Sequence, residues 1–276
     1  MTLSARQRES YERDGCLRVE GVFSSVEIDS LRRLIYRLYR KFQPDDTSLD
    51  AREAPWNELA FDRAMIDLRK HDPKMFGALY DCAQNAIEVL RFVTHPRLLE
   101  IAADCLGETP GALSYSGVML RMDPPRDTRN TIDWHQDRSY YPQNLDGNHG
   151  LVATVALQDI VPECGALVVC PGSQREGLVE PAVGEKADYE TTEQRKVPEE
   201  LVDRYEEQFA EARKGDVLLM NLNLFHRSGY NEQEYIRYSA LCRFHRIMAP
   251  DYVPFGLLYN FNGFMEKRVA KKARDD

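Results

Sequence analysis

Apolar residues recur at helical spacing up to Gly111 and at strand spacing beyond it, so the chain reads as helices first and strands afterwards. Ser24 with Glu27 three residues on makes a capping box, and Ile28, Leu31, Ile35, Leu38 and Phe42 behind it share one helical face. A polar stretch, 43–57, breaks the pattern. Helical spacing resumes over 75–93 in Phe76, Leu79, Ala83, Ile87 and Leu90, and Pro96 opens another helix that Gly107 closes. Short runs rich in Val, Leu, Ile, Tyr and Phe then follow at 113–122, 151–161, 166–170, 216–224 and 235–248, parted by Gly and Pro turns. A charged insertion, 176–214, carries one helix at 199–212. The charged tail, 267–276, is expected to fray.

That order predicts an α+β fold in one domain spanning 1–276, with a mainly helical flank (1–110) and a β-barrel or sandwich core (111–250). Hydrophobic residues make up 43% of the chain, enough for a substantial core. A formal net charge of −9 argues against a general nucleic-acid surface, which needs clustered Lys and Arg to neutralise phosphates. No run approaches the roughly 18 apolar residues of a membrane span, and the polar N-terminus MTLSARQRESYERDG has no signal-peptide core. The six Cys form no C-x-x-C pair and read as reduced thiols. A soluble, cytoplasmic protein acting on a small molecule is the expectation.

The candidate chemistry begins at Trp134-His135-Gln136-Asp137. In an extended segment, side chains two apart point the same way, so His135 and Asp137 converge. His226, at the end of the strand that starts near Gly215, is the candidate third ligand. Two imidazoles and one carboxylate occupy one face of an octahedral ion and leave three positions open, which suits an Fe(II) oxygenase. A closed zinc site would more often use four ligands including Cys, and neither motif has a Cys beside it. H-x-D alone is weak, because it recurs by chance.

Arg237 adds weight. From Tyr235 onward the alternation puts Arg237, Ser239, Leu241, Arg243 and His245 on one face, with Tyr238, Ala240, Cys242, Phe244 and Arg246 on the other. A buried guanidinium needs an anion, and its planar fork matches a carboxylate. The far carboxylate of 2-oxoglutarate would satisfy it; a structural ion pair is the other reading. Arg138, Tyr140 and Tyr141 directly follow the metal motif in a polar loop running to Gly150, and are candidates to line a pocket mouth. Arg121, Arg243 and His245 are inward-facing candidates for an acidic substrate group. His71, His95 and His149 have no partner at ligand spacing and read as structural.

Several of these segments together resemble the phytanoyl-CoA dioxygenase family of Fe(II)/2-oxoglutarate oxygenases. They are Tyr11 to Val19 with Gly21-Val22-Phe23, Met119 to Pro125, His135-Gln136-Asp137, Cys164 to Ser173, and Gly215-Asp216-Val217 through His226, Ser228, Asn231 and Arg237. The resemblance implies a double-stranded β-helix (jelly-roll, cupin-like) core flanked by N-terminal helices. It implies Fe(II), 2-oxoglutarate and O2, with His135, Asp137 and His226 as iron ligands and Arg237 and Ser228 binding the far carboxylate of 2-oxoglutarate. No catalytic side chain beyond the ligands is implied. Family members often have His after P-G-S; here it is Gln174. Related halogenases lack the carboxylate ligand, so the retained Asp137 favours hydroxylation. The aromatic, amide-rich loop favours a polar substrate, sugar-like or amino-acid-like. Two alternatives stand beside this: a cupin-like metal-dependent isomerase or hydrolase without 2-oxoglutarate, and a non-catalytic jelly-roll ligand-binding protein.

Overall fold

A computed structural model describes residues 2–128, 130–141, 143–183 and 194–253; the charged tail and residues 184–193 of the insertion lie outside these. Helix α1 (Ala5–Asp14) leads into strand β1 (Cys16–Val19), and helices α2 (Ser25–Phe42), α3 (Leu59–His71), α4 (Pro73–Gln84), α5 (Ile87–Val93) and α6 (Pro96–Leu106) follow. The capping box on α2 forms in both directions, Ser24 Oγ accepting from the Glu27 amide while the Glu27 side chain accepts from that of Ser24. Gly107 ends α6 in the left-handed conformation (φ 64°).

Three helical expectations need correction. The segment 75–93 is two helices, parted at Asn85 and Ala86. The stretch after the polar break holds α3, which buries Phe61, Met65 and Leu68. Past Pro198, helix α7 covers only Glu199–Val202, and residues 208–210 are a strand instead.

The strands build two main antiparallel sheets. One is five-stranded in the order β1, β8 (Val217–Asn221), β3 (Gly150–Ala156), β10 (Arg237–Arg246), β2 (Leu113–Asp123). The other pairs β7 (Gln208–Ala210), β4 (Leu167–Val169) and β9 (His226–Arg227). Residues 182–183 and 195–196 pair as short strands β5 and β6. This is the α+β class that the order of elements predicted, with the jelly-roll core that the family resemblance implied.

Alternation along the large sheet separates two interiors. Leu120, Val155, Leu219, Tyr238, Ala240 and Phe244 face the helices, within one core cluster that includes Ile28, Phe61, Phe76 and Leu98. The opposite face, with Val152, Leu218, Met220 and Leu241, meets Val169 and Leu224 from the small sheet's side. A strand buried on both faces needs apolar or paired residues at every position, and β10 is buried from Arg237 through His245. Its polar residues therefore need partners. Those partners define the site.

Candidate active site

His135 and His226 form an isolated antiparallel bridge, each amide donating to the other's carbonyl at 2.9 and 3.1 Å. The bridge sets the two imidazoles side by side, ring centroids 4.1 Å apart. Each ring places Nδ1 on a main-chain oxygen two residues upstream, Asp133 O at 2.8 Å and Leu224 O at 2.9 Å. Nδ1 must carry the proton to donate to a carbonyl, so Nε2 keeps its lone pair for a metal. Asp137 Oδ1 lies 3.5 Å from His135 Nε2 and 3.7 Å from His226 Nε2. One ligand atom from each residue falls within 4.8 Å of the others, and all three side chains are buried.

Electrostatics set the protonation a divalent cation requires. Burial, with His135 adding to it, pushes the His226 imidazole down to about 4, so it is neutral at neutral pH. Burial alone would raise the Asp137 carboxyl. The Arg243 guanidinium and the neighbouring imidazoles outweigh that and hold it well below the usual carboxylate range. Two imidazole nitrogens and one anionic carboxylate oxygen fit Fe(II).

These shifts carry a consequence for the metal-free protein. His245 is likewise pushed down, to about 3, by burial and by Arg243. Unfolded imidazoles take protons near 6.5, whereas these two stay neutral in the fold until near 4 and near 3. Below 6.5 the unfolded state binds more protons, so stability falls as pH falls from about 6.5 towards 4. Thermal midpoints of the metal-free protein at pH 7 and pH 5 should differ by several degrees, the lower at pH 5. A flat profile would contradict the buried neutral assignment.

Further contacts fix the ligands. Arg243 Nε donates to Asp137 Oδ2 at 2.8 Å, so this arginine is paired with the carboxylate ligand. Gln136, between the two ligands, donates to Gly177 O (2.6 Å) and Asn223 O (2.7 Å) and accepts from the Val179 amide. Gln174, at the position where His is common, donates to Glu12 O and Arg13 O. That departure concerns the packing of the turn on α1.

The triad opens into a cavity of about 620 Å³ between the two sheets, whose wall includes Met119, Val152, Met220 and Leu241. Tyr140, Tyr141, Arg121 and Ser228 also line it; Arg138 does not. Arg138 sits in the short 3-10 turn Asp137–Ser139 and donates to Leu145 O from Nε and Nη2. Ser228 Oγ accepts from the Ile132 amide at 3.1 Å. A smaller inner cavity shares Arg121, Thr154, Leu167 and Leu241 with the first and is lined by Arg237.

At that inner end Arg237 Nη2 meets Asp123 Oδ2 at 2.6 Å, and Arg121 Nε meets the same oxygen at 3.1 Å. The ion-pair reading of Arg237 is therefore present in the structure. Yet two guanidiniums share one carboxylate, and the buried Thr154 hydroxyl beside them has no hydrogen-bond partner among the described residues. An excess of buried positive charge with an unsatisfied hydroxyl fits the far carboxylate of 2-oxoglutarate.

The family model described as phytanoyl-CoA dioxygenase (PhyH) matches residues 11–238. The chain belongs to this family. Family membership, together with the triad, makes it an iron(II)- and 2-oxoglutarate-dependent dioxygenase. Its relatives in the family include an ectoine dioxygenase of Sphingopyxis alaskensis, 25% identical over 271 residues (92% of this chain, 80% of that protein). A probable phytanoyl-CoA dioxygenase of Caenorhabditis elegans is 25% identical over 257 residues (88% and 75%). Among solved structures, the Fe-bound EctD of S. alaskensis superposes with a TM-score of 0.58 at 21% identity, covering 92% of this chain and 80% of that one. The epimerase SnoN with Fe3+, alpha-ketoglutarate and nogalamycin RO gives a TM-score of 0.58 at 22% identity (92% and 87%). At those identities the superpositions speak for the fold.

Sequence reasoning missed Asp123 as the shared carboxylate, Thr154 as an inward hydroxyl, and Arg69 and Gln194 as lining residues. Parity could have found two of these. Asp123 and Arg121 are two apart on β2, and Thr154 lies an even step from Val152 on β3.

Proposed function

We propose that this enzyme hydroxylates an unactivated C–H bond of a small polar metabolite. His135, Asp137 and His226 would hold the iron, and Arg237 with Ser228 would hold the far end of 2-oxoglutarate. The observation that carries the reading is the triad itself, with both Nδ1 atoms tied to carbonyls and all three residues lining the cavity. When bound, iron with 2-oxoglutarate supplies the oxidising power of O2 for hydrogen removal, with succinate and carbon dioxide as co-products. The protein's own share is orientation. Tied imidazoles and a paired carboxylate need no reorganisation when the metal arrives.

The substrate class follows from the wall. Met119, Val152, Met220 and Leu241 give apolar surface to the lining, and Asp127, Thr128, Asn130, Thr131 and Gln194 give it polar groups. Arg69 from α3 reaches the same lining and is paired with Asp127. A cavity of about 620 Å³ suits a compact ligand, and its mixture of amide, hydroxyl and charged groups matches one that carries polar groups of its own better than a long hydrocarbon chain. The six free thiols fit a reducing compartment such as the cytoplasm, and among the described residues no helix is long and apolar enough to cross a membrane.

The test is succinate release over a panel of sugars, polyols, amino acids and acyl-thioesters, with Fe(II), 2-oxoglutarate and O2 supplied. Stimulation by a polar hydroxyl- or amine-bearing compound is expected, with an added oxygen in the product. Stimulation by acyl-thioesters alone would overturn the substrate class.

A further inference from the structure

The inner face of β10 brings a second arginine to the triad, and its surroundings show what it does. Arg243 is buried, and its guanidinium is held on three sides. Nε donates to Asp137 Oδ2 (2.8 Å), Nη1 donates to Gly117 O (3.0 Å), and the plane lies over the Tyr141 ring, 3.9 Å from its centroid. A flexible side chain fixed at both ends of its fork and across its face has one position available to it.

The backbone is shaped around this group. β2 and β10 slip register between the pairs Leu241–Met119 and Arg243–Ser116, so β2 carries an extra residue there. Gly117 sits in that bulge with φ 56°. A Cβ on it would come within 2.6 Å of the Tyr141 ring and 2.9 Å of Arg243 Nη1. The bulge aims a carbonyl at the guanidinium and, by lacking a side chain, leaves room for the stack.

The two oxygens of Asp137 are thereby divided. Oδ2 is taken by Arg243, and Oδ1 alone faces the two Nε2 atoms. We infer that Arg243 is a positioning residue that restricts Asp137 to a one-oxygen ligand and sets the strength of the metal site. The Tyr141 ring, which lines the cavity, backs it on the substrate side. This inference rests on the reading of His135, Asp137 and His226 as the iron site.

The experiment is an anaerobic titration of the full chain with Fe(II) and then 2-oxoglutarate, reading iron affinity and the visible iron-to-2-oxoglutarate charge-transfer band. Arg243→Met should weaken iron binding by about 10- to 100-fold, the range for loss of a partner behind a ligand. It should also shift or broaden the band, because Asp137 is released to turn both oxygens inward. Arg243→Lys, which restores the charge but not the fork, should fall between the two. Wild-type affinity and an unshifted band in a folded Arg243→Met protein would overturn the proposal. If the Met variant does not fold, the decision passes to Arg243→Lys: a lowered melting point with wild-type affinity and band would make Arg243 purely structural. Failure of the wild-type protein to bind iron would instead sink the triad reading itself.

Discussion

Arg237→Ala is expected to raise the 2-oxoglutarate concentration for half-maximal turnover by about 100-fold, while iron affinity stays close to wild type. The magnitude is that of losing one buried charge-assisted carboxylate contact, about 2–5 kcal/mol at 1.4 kcal/mol per tenfold. Truncating a buried ion pair normally also costs stability, because a lone charge is stranded. Here Asp123 keeps Arg121 at 3.1 Å, so the carboxylate stays compensated and the fold should survive. Steady-state kinetics over a 2-oxoglutarate series, with iron affinity measured separately, check the split. If iron is lost and the 2-oxoglutarate requirement is unchanged, Arg237 serves the fold and another group binds the cosubstrate.

The second large effect is His226→Ala. It removes a ligand outright, so iron affinity should fall by well over the roughly 100-fold that loss of an outer partner costs, and turnover should drop to background. The fold should persist, since among the described residues the side chain's hydrogen bond is the one to Leu224 O. The same change should flatten the acid destabilisation, because one of the two imidazoles held neutral has gone. Metal content after reconstitution, together with melting at pH 7 and pH 5, distinguishes a lost ligand from a lost fold.

Much of this was legible in the sequence, for reasons that differ by element. Alternation along β10 fixed which residues face inward, because a period of two admits only two assignments and Tyr238, Ala240, Cys242 and Phe244 are apolar or aromatic. Local caps marked α2 and α6. Helix α3 escaped because no side chain caps its start and its apolar residues sit among charges. Strand β7 was read as helix because its pairing with β4 is a long-range ladder, which leaves no local trace. Glu206 and Glu207 following Val202 also disfavour extending α7, since acidic residues oppose the helix dipole at a C-terminal end.

At the site, the triad and the inward Arg237 could be read from spacing. The division of labour between the two arginines could not. Both lie on one face of β10, six residues apart, and only the fold decides that Arg237 meets Asp123 on the paired strand β2 while Arg243 meets Asp137 in the turn after His135. Arg138 could not be placed by parity, because the chain leaves the extended form at Asp137 for a 3-10 turn and Leu145 O then holds the guanidinium outside the cavity lining.

If iron and 2-oxoglutarate meet at His135, Asp137 and His226, their meeting has an optical signature. Wild-type protein loaded with Fe(II) under anaerobic conditions should develop a weak visible charge-transfer band when 2-oxoglutarate is added. The band should be absent in His226→Ala and, at the same 2-oxoglutarate concentration, much reduced in Arg237→Ala. Bound iron with no band in the wild-type protein at saturating 2-oxoglutarate would contradict the account.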